Sequence, residues 1–475
     1  MIDFNDHRLE LKGEEESYHD FPLGVKILTF IFSLILIFAS VDYFVLAPPE
    51  RAVTQLILDG FIMSKFFSLL DLVIIALSVF FIMFEKLSFK NATPFERILF
   101  ILAIVCLILK MANPNNRSEN PVMGLPLFSE INNFSYLLFL GTIICLPKKK
   151  FFFLVFRIFK FAAYIAIIRA IILLGLFAGG QSRSFFFGIK SCLLEGDTLL
   201  IFGLFQSVMF ALFLATKDKK YLISWFILLL IQVFSSRRSP LFTSLFCNAI
   251  VFGFYYVRKM NAIGKMVTIL VFVFTVMVLP TIVANVSPKA KVYIDRYIGV
   301  FSTDNYTTDE ANSDSGHFEQ SQKTTESALK VGFWGVGYGN KLMLEGAFQI
   351  NGEYFIHNVY AALWALHGVY MVIFYFLIIL FVLVHFFKLL VFNSDELFHF
   401  ALVKMSIIAF FLMYMNAMYY TTLNFLVSSK IEYFLILIIC FILKFGKTEF
   451  AELLPYFKSK DNLEAELTQK SFVKF

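Results

Sequence analysis

VKILTFIFSLILIF (residues 25–38) and KMVTILVFVFTVMVLP (residues 265–280) are two of several long apolar runs that decide the fold of this chain. Of its 475 residues, 59% are hydrophobic and 16% are charged. Soluble domains are typically about 45–50% apolar and about 25% charged. Runs of this length and number predict helices that cross a lipid bilayer. An outer-membrane barrel would instead need strands in which apolar and polar residues alternate.

The sequence predicts an all-α, polytopic integral membrane protein with about 12 transmembrane helices. Residues 1–20 are polar and contain acidic residues, so the first apolar run is expected to be a retained helix rather than a signal peptide. Pro114, Pro147 and Pro240 fall at predicted helix ends, where proline is least costly. The predicted spans are 25–47, 61–84, 95–112, 131–147, 151–177, 197–216, 220–235, 240–257, 264–286, 359–386, 401–420 and 424–443.

Lysine and arginine predict the orientation, because the short cytoplasmic loops of membrane proteins are enriched in them. With both termini in the cytoplasm, the short inner loops carry 13 lysines and arginines and the short outer loops carry 6. The predicted organisation is a cytoplasmic tail, spans 1–9, one large periplasmic loop, spans 10–12 and a second cytoplasmic tail. These parts occupy residues 1–24, 25–286, 287–358, 359–443 and 444–475.

Charge and cysteine usage exclude several other classes. The formal net charge of +6 arises mostly in short basic loops, so it does not indicate a nucleic-acid partner. The five cysteines are scattered and contain no Cys-x-x-Cys spacing, which argues against a disulfide framework or a cysteine metal site. We therefore expect neither a metal nor a cofactor, and we expect the lipid bilayer to be the main surrounding of the chain.

The first candidate for chemistry is SSRRSP (residues 235–240), at the predicted outer boundary between two spans. Arg237 and Arg238 depart from the charge bias of the other outer loops. Two adjacent guanidinium groups can bind an anion, and arginine suits phosphate because its planar fork donates two parallel hydrogen bonds. The structural alternative is that both side chains extend to lipid headgroups and anchor the helix end.

The second candidate is FIHNVYAALWALHG (residues 355–368), where the large loop re-enters the membrane. A histidine at this position can accept a proton from a hydroxyl near neutral pH. Asn358 is either a helix cap or a hydrogen-bond donor to substrate. The alternative for His357 is that it only satisfies backbone groups at the helix start. The spacing places four side chains on one predicted helical face, namely His357, Tyr360, Trp364 and His367.

The large loop itself contains two further features. SQKTTESAL (residues 321–329) predicts a short amphipathic helix. Gly335, Gly337 and Gly339 in GVGYGN resemble a nucleotide-binding loop, but no strand precedes them and no helix beginning with Lys-Ser/Thr follows. We therefore expect these glycines to form tight turns by which the loop returns over the membrane.

Arg169 is the fourth candidate, because it lies within a predicted span, about eight residues from the outer end. A charge at that depth is costly unless it is paired or faces a cavity. It can bind an anionic substrate, or it can form an ion pair with Asp42, Asp71 or Glu195 from other spans. The sequence leaves both options open.

The order of these features resembles the O-antigen polymerase and O-antigen ligase family over roughly residues 150–445. The similarity consists of some twelve spans, SSRRSP, a large late periplasmic loop, WGVGYG (334–339) and HNVY (357–360). One departure is SGH, which places His317 where family members often carry an arginine soon after Ser-Gly in the large loop. This departure concerns how the loop binds substrate.

The resemblance implies an inner-membrane glycosyltransferase whose active site faces the periplasm. Its donor would be an oligosaccharide linked through a diphosphate to undecaprenol, and it would use no metal and no nucleotide. His357 would be catalytic, Asn358 would pair with it, and Arg237 or Arg238 would bind the diphosphate, with Arg169 as a further diphosphate ligand. Substrate or loop positioning would fall to Asn358, Gly335, Gly337 and Tyr360.

Three functions remain open at this stage. A polymerase would transfer the glycan to a sugar hydroxyl of a second lipid-linked repeat unit, and it is favoured by the phenylalanine-rich, idiosyncratic sequence. A ligase would transfer the polymer to lipid A-core. A transporter or flippase would use intramembrane charges such as Arg169 and Lys404, but the sequence contains no repeated half. A chain-length regulator of the same pathway is a further candidate partner.

Overall fold

The computed structural model describes most of the predicted spans and parts of the large loop. The described residues are 22–38, 69–115, 131–180, 183–184, 190–191, 196–235, 238–257, 323, 325–326, 328–337, 348–350, 353–390, 398–417, 422–423 and 444.

These residues are predominantly helical. The α-helices are α1 (Leu23–Phe38), α2 (Leu69–Phe84), α3 (Pro94–Met111), α4 (Ile131–Cys145), α5 (Lys148–Ala178), α6 (Gly196–Thr216), α7 (Lys219–Phe234), α8 (Arg238–Val257), α9 (Val359–His367), α10 (Val369–Leu390) and α11 (Phe398–Ala417). A 3₁₀ turn covers Phe89–Asn91. The short strands are β1 (Arg183–Ser184), β2 (Lys190–Ser191), β3 (Phe348–Ile350), β4 (Glu353–His357) and β5 (Thr422–Leu423), which form the antiparallel sheets β1-β2 and β3-β4-β5.

The helical prediction is confirmed for the described part of the chain, and the bounds of α3 to α8 lie within three residues of the predicted ones. Two helices, Arg157–Ala178 and Val369–Leu389, are long and apolar enough to cross a membrane by length and composition. The predicted spans 264–286 and 424–443 and most of the loop 287–358 lie outside the described residues.

One predicted span is wrong in its detail. The sequence predicts a single helix over 359–386, whereas the chain forms α9 and α10 with a break at Gly368. Gly368 has a φ of +107°, which a helix cannot contain and which glycine adopts without steric cost. The long apolar helix is therefore α10, and α9, with nine residues, is too short to cross a bilayer.

Local sequence explains several helix starts. At α3, the Thr93 hydroxyl accepts from the Glu96 N–H at 3.3 Å, and the Glu96 carboxylate accepts from the Thr93 N–H at 2.7 Å. This reciprocal pair is a capping box, and Pro94 occupies the first helical position. At α7, Asp218 accepts from the Lys220 N–H at 3.1 Å. Burial alone would raise the pKa of Asp218, but hydrogen bonds and charge from Lys220 outweigh it and lower the pKa.

The helices pack in two connected groups. In the first, α1 packs against α2 and α5, and α4 packs against α2 and α3. In the second, α6 lies between α7, α8 and α11, and α8 also packs against α11. Contacts of α5 with α7, and of α10 with both α3 and α11, join the groups.

The outer faces of the helices are apolar, while hydroxyl side chains lie inside. The buried hydroxyl groups of Ser33 and Ser78 donate to carbonyl oxygens four residues earlier in their own helices. Large apolar side chains are exposed at helical spacing on α3 and α10, namely Ile98, Ile101, Val105, Ile108, Ile373, Phe376, Leu380, Val384 and Phe387. A soluble protein rarely exposes apolar stripes of this extent, whereas helices that face lipid do so routinely.

Lys444 contacts α3 and α4 at the end of the bundle where α4 ends. Its ammonium group donates to the carbonyl oxygens of Ile144 at 2.7 Å and Ile143 at 3.2 Å. It also lies 4.0 Å from a Glu96 carboxylate oxygen, and both side chains are almost fully buried. A cation at a helix C-terminus interacts favourably with the free carbonyl groups there. Nearby, Lys150 and Glu85 form an ion pair at 2.6 Å.

Candidate functional site

Asn358 is the central residue where the loop meets helix α9. Its side-chain oxygen accepts from the Ala361 N–H at 3.1 Å, which caps α9. Its side-chain nitrogen donates to the Thr325 hydroxyl at 2.8 Å. The residue is 1% exposed and has a φ of +90°, a conformation that asparagine tolerates better than most residues. The predicted helix cap is confirmed, and the role of Asn358 as a donor to substrate stays a prediction.

Thr325 belongs to the loop segment for which a short helix is predicted. Residues 323, 325–326 and 328–330 are helical, in agreement with that prediction. The amide group of Asn358 therefore has two structural roles. Its oxygen caps the start of α9, and its nitrogen bonds to Thr325 of the loop helix. The neighbouring His357 is held next to this junction by the backbone.

His357 is the last residue of strand β4, where its Cα pairs with that of Thr422 in β5. The prediction that His357 shares a helical face with Tyr360, Trp364 and His367 is therefore wrong, because His357 precedes the helix. Asn358 caps α9 by accepting from the Ala361 N–H, and whether the His357 side chain also bonds backbone groups at the helix start stays a prediction. The pairing with β5 places His357 beside the segment that follows α11.

Two aromatic residues of α9 donate hydrogen bonds to neighbouring segments. The Tyr360 hydroxyl donates to the Met415 carbonyl oxygen near the end of α11 at 2.7 Å. The Trp364 indole donates to the Gly332 carbonyl oxygen at 3.2 Å. Tyr360 thus attaches α9 to α11. The role in substrate or loop positioning that the resemblance implies for Tyr360 stays a prediction.

The glycine turn of the loop fits into the break between α9 and α10. Gly335 and Gly337 have φ angles of +70° and +74°, so the prediction of tight turns at these glycines is confirmed. The Val336 N–H donates to the Ala365 carbonyl oxygen at 2.7 Å. A Cβ on Gly335 would lie 2.8 Å from both the Gly368 nitrogen and the Trp364 carbonyl oxygen. Only glycine permits this approach of two backbones.

Two asparagines just past the end of α3 bind the same turn. The Asn113 side chain donates to the Trp334 carbonyl oxygen at 2.6 Å, and the Asn115 side chain donates to the Gly335 carbonyl oxygen at 2.7 Å. The turn 334–337 is therefore held from both sides, by the α9–α10 break and by the end of α3. The loop, α3, α9 and α11 meet at one junction.

The arginines are less fully described. Arg238 is the first residue of α8, and Arg237 precedes it outside the described residues, so the positions of both side chains stay predictions. Arg169 is partly buried on α5 and takes part in interactions within the protein. Its suggested partners Asp42 and Glu195 lie outside the described residues, as do His317 and Gly339, and the side chains of Asp71 and His367 are not described.

The sequence analysis missed Asn113, Asn115 and Thr325. A signal for the first two exists in NPNN (113–116), because asparagine next to proline directly after an apolar helix is typical of a structured helix end. Gly368 within a predicted span also signals a break, since glycine is unfavourable inside a helix. No pattern in the sequence indicates that Thr325 would reach Asn358, which lies 33 residues away.

No protein-family model, no curated protein and no solved structure matches this chain.

Proposed function

We propose that this chain is a multi-pass membrane glycosyltransferase that polymerises O-antigen or a related surface polysaccharide. It transfers a glycan from undecaprenyl diphosphate to a sugar hydroxyl of a second lipid-linked repeat unit at the periplasmic face of the bacterial inner membrane. It uses no metal. The bilayer and the lipid-linked oligosaccharide are its expected partners, and a regulator of chain length is a further candidate.

The observation that carries this proposal is the bonding of Asn358. The buried amide caps α9 and binds Thr325, so it orders a loop segment directly beside His357. Catalytic groups need such a framework, because a base must be held within hydrogen-bonding distance of the proton that it removes.

The proposed reaction uses two groups of residues. His357 accepts the proton of the attacking sugar hydroxyl, and the hydroxyl oxygen forms a bond to the anomeric carbon of the donor. The bond from that carbon to the diphosphate breaks, and the diphosphate leaves with the electron pair. Arg237 or Arg238, with Arg169 as a further candidate, stabilises the negative charge that develops on the leaving group.

The contacts of the bundle agree with the proposed arrangement of spans. Trp334 and Gly335 of the loop bind residues 113 and 115 past the end of α3, and Tyr360 binds Met415 near the end of α11. The proposal assigns all of these residues to the periplasmic side. Lys444, Glu96, Glu85 and Lys150 form the other contact group, and the proposal assigns all of them to the cytoplasmic side.

A ligase is the second candidate, because it would use the same donor and the same leaving group and would differ only in its acceptor. Deletion of the gene followed by separation of the lipopolysaccharide bands distinguishes the two. A ladder reduced to a single repeat unit indicates a polymerase. Polymer that accumulates on undecaprenyl diphosphate indicates a ligase. A transporter is indicated if the lipid-linked repeat unit accumulates at the cytoplasmic face, and an unchanged pattern would contradict all three.

The diphosphate role is tested by Arg237→Lys and Arg238→Lys, expressed in the deletion strain. At least one lysine variant should lose polymer although the charge is kept, because lysine cannot donate the two parallel hydrogen bonds of arginine. Arg97→Lys is the matched control, since Arg97 donates to the Ala92 carbonyl oxygen of its own segment on the proposed cytoplasmic side. Full polymer from the double variant Arg237→Ala, Arg238→Ala at normal protein level would remove these residues from the mechanism.

A further inference from the structure

A group of polar side chains lies buried between α6, α7 and α8. Gly203, Gln206 and Ser207 share one face of α6, because they are three and four residues apart. A Cβ on Gly203 would lie 2.5 Å from the Ser244 hydroxyl oxygen of α8, 3.1 Å from the Phe410 ring of α11 and 3.4 Å from the Gln232 side-chain nitrogen of α7. The glycine therefore lets polar groups from three helices approach one another.

A second contact occurs one turn further along the same two helices. Ser207 of α6 lies against the thiol of Cys247 of α8, next to Asn248. From the first contact to the second, α6 advances from 203 to 207 and α8 from 244 to 247. The two helices therefore run side by side in the same direction, and their polar residues form a continuous column.

Three carboxamides in this column have no hydrogen-bond partner within the part of the chain that the structure describes. They belong to Gln206, Gln232 and Asn248, and neither the nitrogen nor the oxygen of any of them is bonded. Gln206 and Gln232 are 0% exposed, and Asn248 is 7% exposed. A buried amide without a partner destabilises a protein, so three on neighbouring packed helices indicate that something else supplies the hydrogen bonds.

The column begins next to the proposed diphosphate site. Gln232 lies in the last turn of α7, and Arg238 is the first residue of α8. At a rise of about 1.5 Å per residue, Ser244 lies about 9 Å and Asn248 about 15 Å along α8 from Arg238. A ligand bound through its phosphates at Arg237 and Arg238 would thus reach the column by extending about 9–15 Å along α8.

The chemistry of the column selects a neutral ligand. The polar residues that form it are amides, hydroxyls and one thiol, and none of them is charged, so a phosphate or a metal ion would be buried there without an opposite charge. A carboxamide donates and accepts at once, as does a hydroxyl group. Groups of alcohol hydroxyls on a compact ring match three such amides.

We propose that Gln206, Gln232 and Asn248, with the Ser244 hydroxyl, form a binding site for the sugar hydroxyls of the lipid-linked glycan. The inference rests on the proposed function and deepens it. The arginines would bind the diphosphate, which every donor shares. The amide column would bind the sugar, which differs from one polysaccharide to another, and would therefore determine which repeat unit is accepted.

The test compares two probes on the purified full-length protein in detergent. One probe is the undecaprenyl-diphosphate-linked repeat unit extracted from the host, and the other is undecaprenyl diphosphate without sugar. The wild type should bind the glycosylated lipid more tightly. Gln206→Leu, Gln232→Leu and Asn248→Leu should each weaken binding of the glycosylated lipid about threefold to tenfold and leave binding of the bare lipid unchanged. Ser406→Ala is the control, because that hydroxyl already donates to the Val403 carbonyl oxygen.

Thermal unfolding of the same variants without ligand completes the test. Leucine has a similar size and no polar atoms, so the three variants should unfold at the wild-type temperature or above it. Lower unfolding temperatures would show that the amides are bonded within the protein and would overturn the inference. Unchanged affinity for both lipids would also overturn it, because the column would then hold water only. A wild type that binds neither lipid would instead contradict the proposed function.

Discussion

Asn358 combines a φ of +90° with two hydrogen bonds, one to the start of α9 and one to Thr325 of the loop. We expect Asn358→Ala to lower the free energy of unfolding by about 1–3 kcal/mol, because the cap, the loop contact and the tolerance of positive φ are all lost. Thr325→Val removes only the loop contact and should cost less. Thermal unfolding of the purified variants measures both, and an Asn358→Ala protein as stable as the wild type would contradict this account of the junction.

Substitutions of His357 can distinguish a role in proton transfer from a purely structural role. Glutamine keeps a hydrogen bond but cannot take up a proton, so His357→Gln should lower turnover by about 10²- to 10⁴-fold while donor binding stays nearly intact. His357→Ala should do the same. The assay uses lipid-linked repeat units and is normalised to folded protein.

His385→Gln is the matched control for that measurement. His385 lies in the distal half of α10, where its ring contacts the Phe381 carbonyl oxygen, and it has no place in the proposed reaction. Its substitution should leave turnover unchanged. Near-normal turnover of His357→Gln would exclude a proton-transfer role and leave His357 as a residue of the β4–β5 pair.

At the scale of elements, the contact between the turn 334–337 and the α9–α10 break depends on glycine for two separable reasons. Gly332→Ala tests backbone conformation alone, since Gly332 has a φ of +86° and no atom lies within 4 Å of an added Cβ. It should cost about 1–2 kcal/mol. Gly335→Ala adds contacts of 2.8 Å with backbone atoms of the break and should cost a further 1–3 kcal/mol or so.

Gly175→Ala provides the opposite control for this series. Gly175 lies inside α5, and nothing lies within 4 Å of an added Cβ. Alanine should therefore be neutral or stabilise the helix by up to about 1 kcal/mol. Equal unfolding temperatures for Gly332→Ala and Gly335→Ala would show that the turn 334–337 is not in close contact with the α9–α10 break.

At the scale of the whole molecule, Lys444 bonds to α4 and lies beside Glu96 of α3, although it is far from both in the sequence. Lys444→Met leaves the buried Glu96 carboxylate without its cation and should cost about 3–5 kcal/mol. Adding Glu96→Gln should recover part of that loss, because the uncompensated charge is removed. Urea or thermal unfolding of the single and double variants measures the coupling, and strictly additive effects would argue against a direct interaction.

The predicted orientation of the chain is tested by reporter fusions. Fusion of a reporter that is active only in the periplasm should give activity at residue 310 and none at residue 150. The expectation rests on the excess of lysine and arginine in the short inner loops, 13 against 6. Activity at residue 150, or its absence at residue 310, would reverse the proposed arrangement and move His357 to the cytoplasmic side.

Helix positions were predictable from the sequence because each span contains enough consecutive apolar residues to specify itself. The bounds of α3, α6 and α7 differ from the predicted ones by one residue. The division of 359–390 into α9 and α10 was not predicted, since apolar residues continue on both sides of Gly368 and hide the break. Of the candidate site, the cap at Asn358 and the turns at Gly335 and Gly337 were predictable, because each follows from the local preferences of one residue type.

The sequence by itself determined that the described part of this chain is predominantly helical and apolar on its outside. In an apolar surrounding, backbone groups must be bonded within their own segment, so long apolar runs can only form helices. Only the tertiary structure decided which polar groups meet. Thr325 bonds to Asn358, Asn113 bonds to Trp334, and Gln232 of α7 and Ser244 of α8 both approach Gly203 of α6. Such contacts depend on the relative position and rotation of packed helices, which hydrophobic periodicity within one segment does not encode.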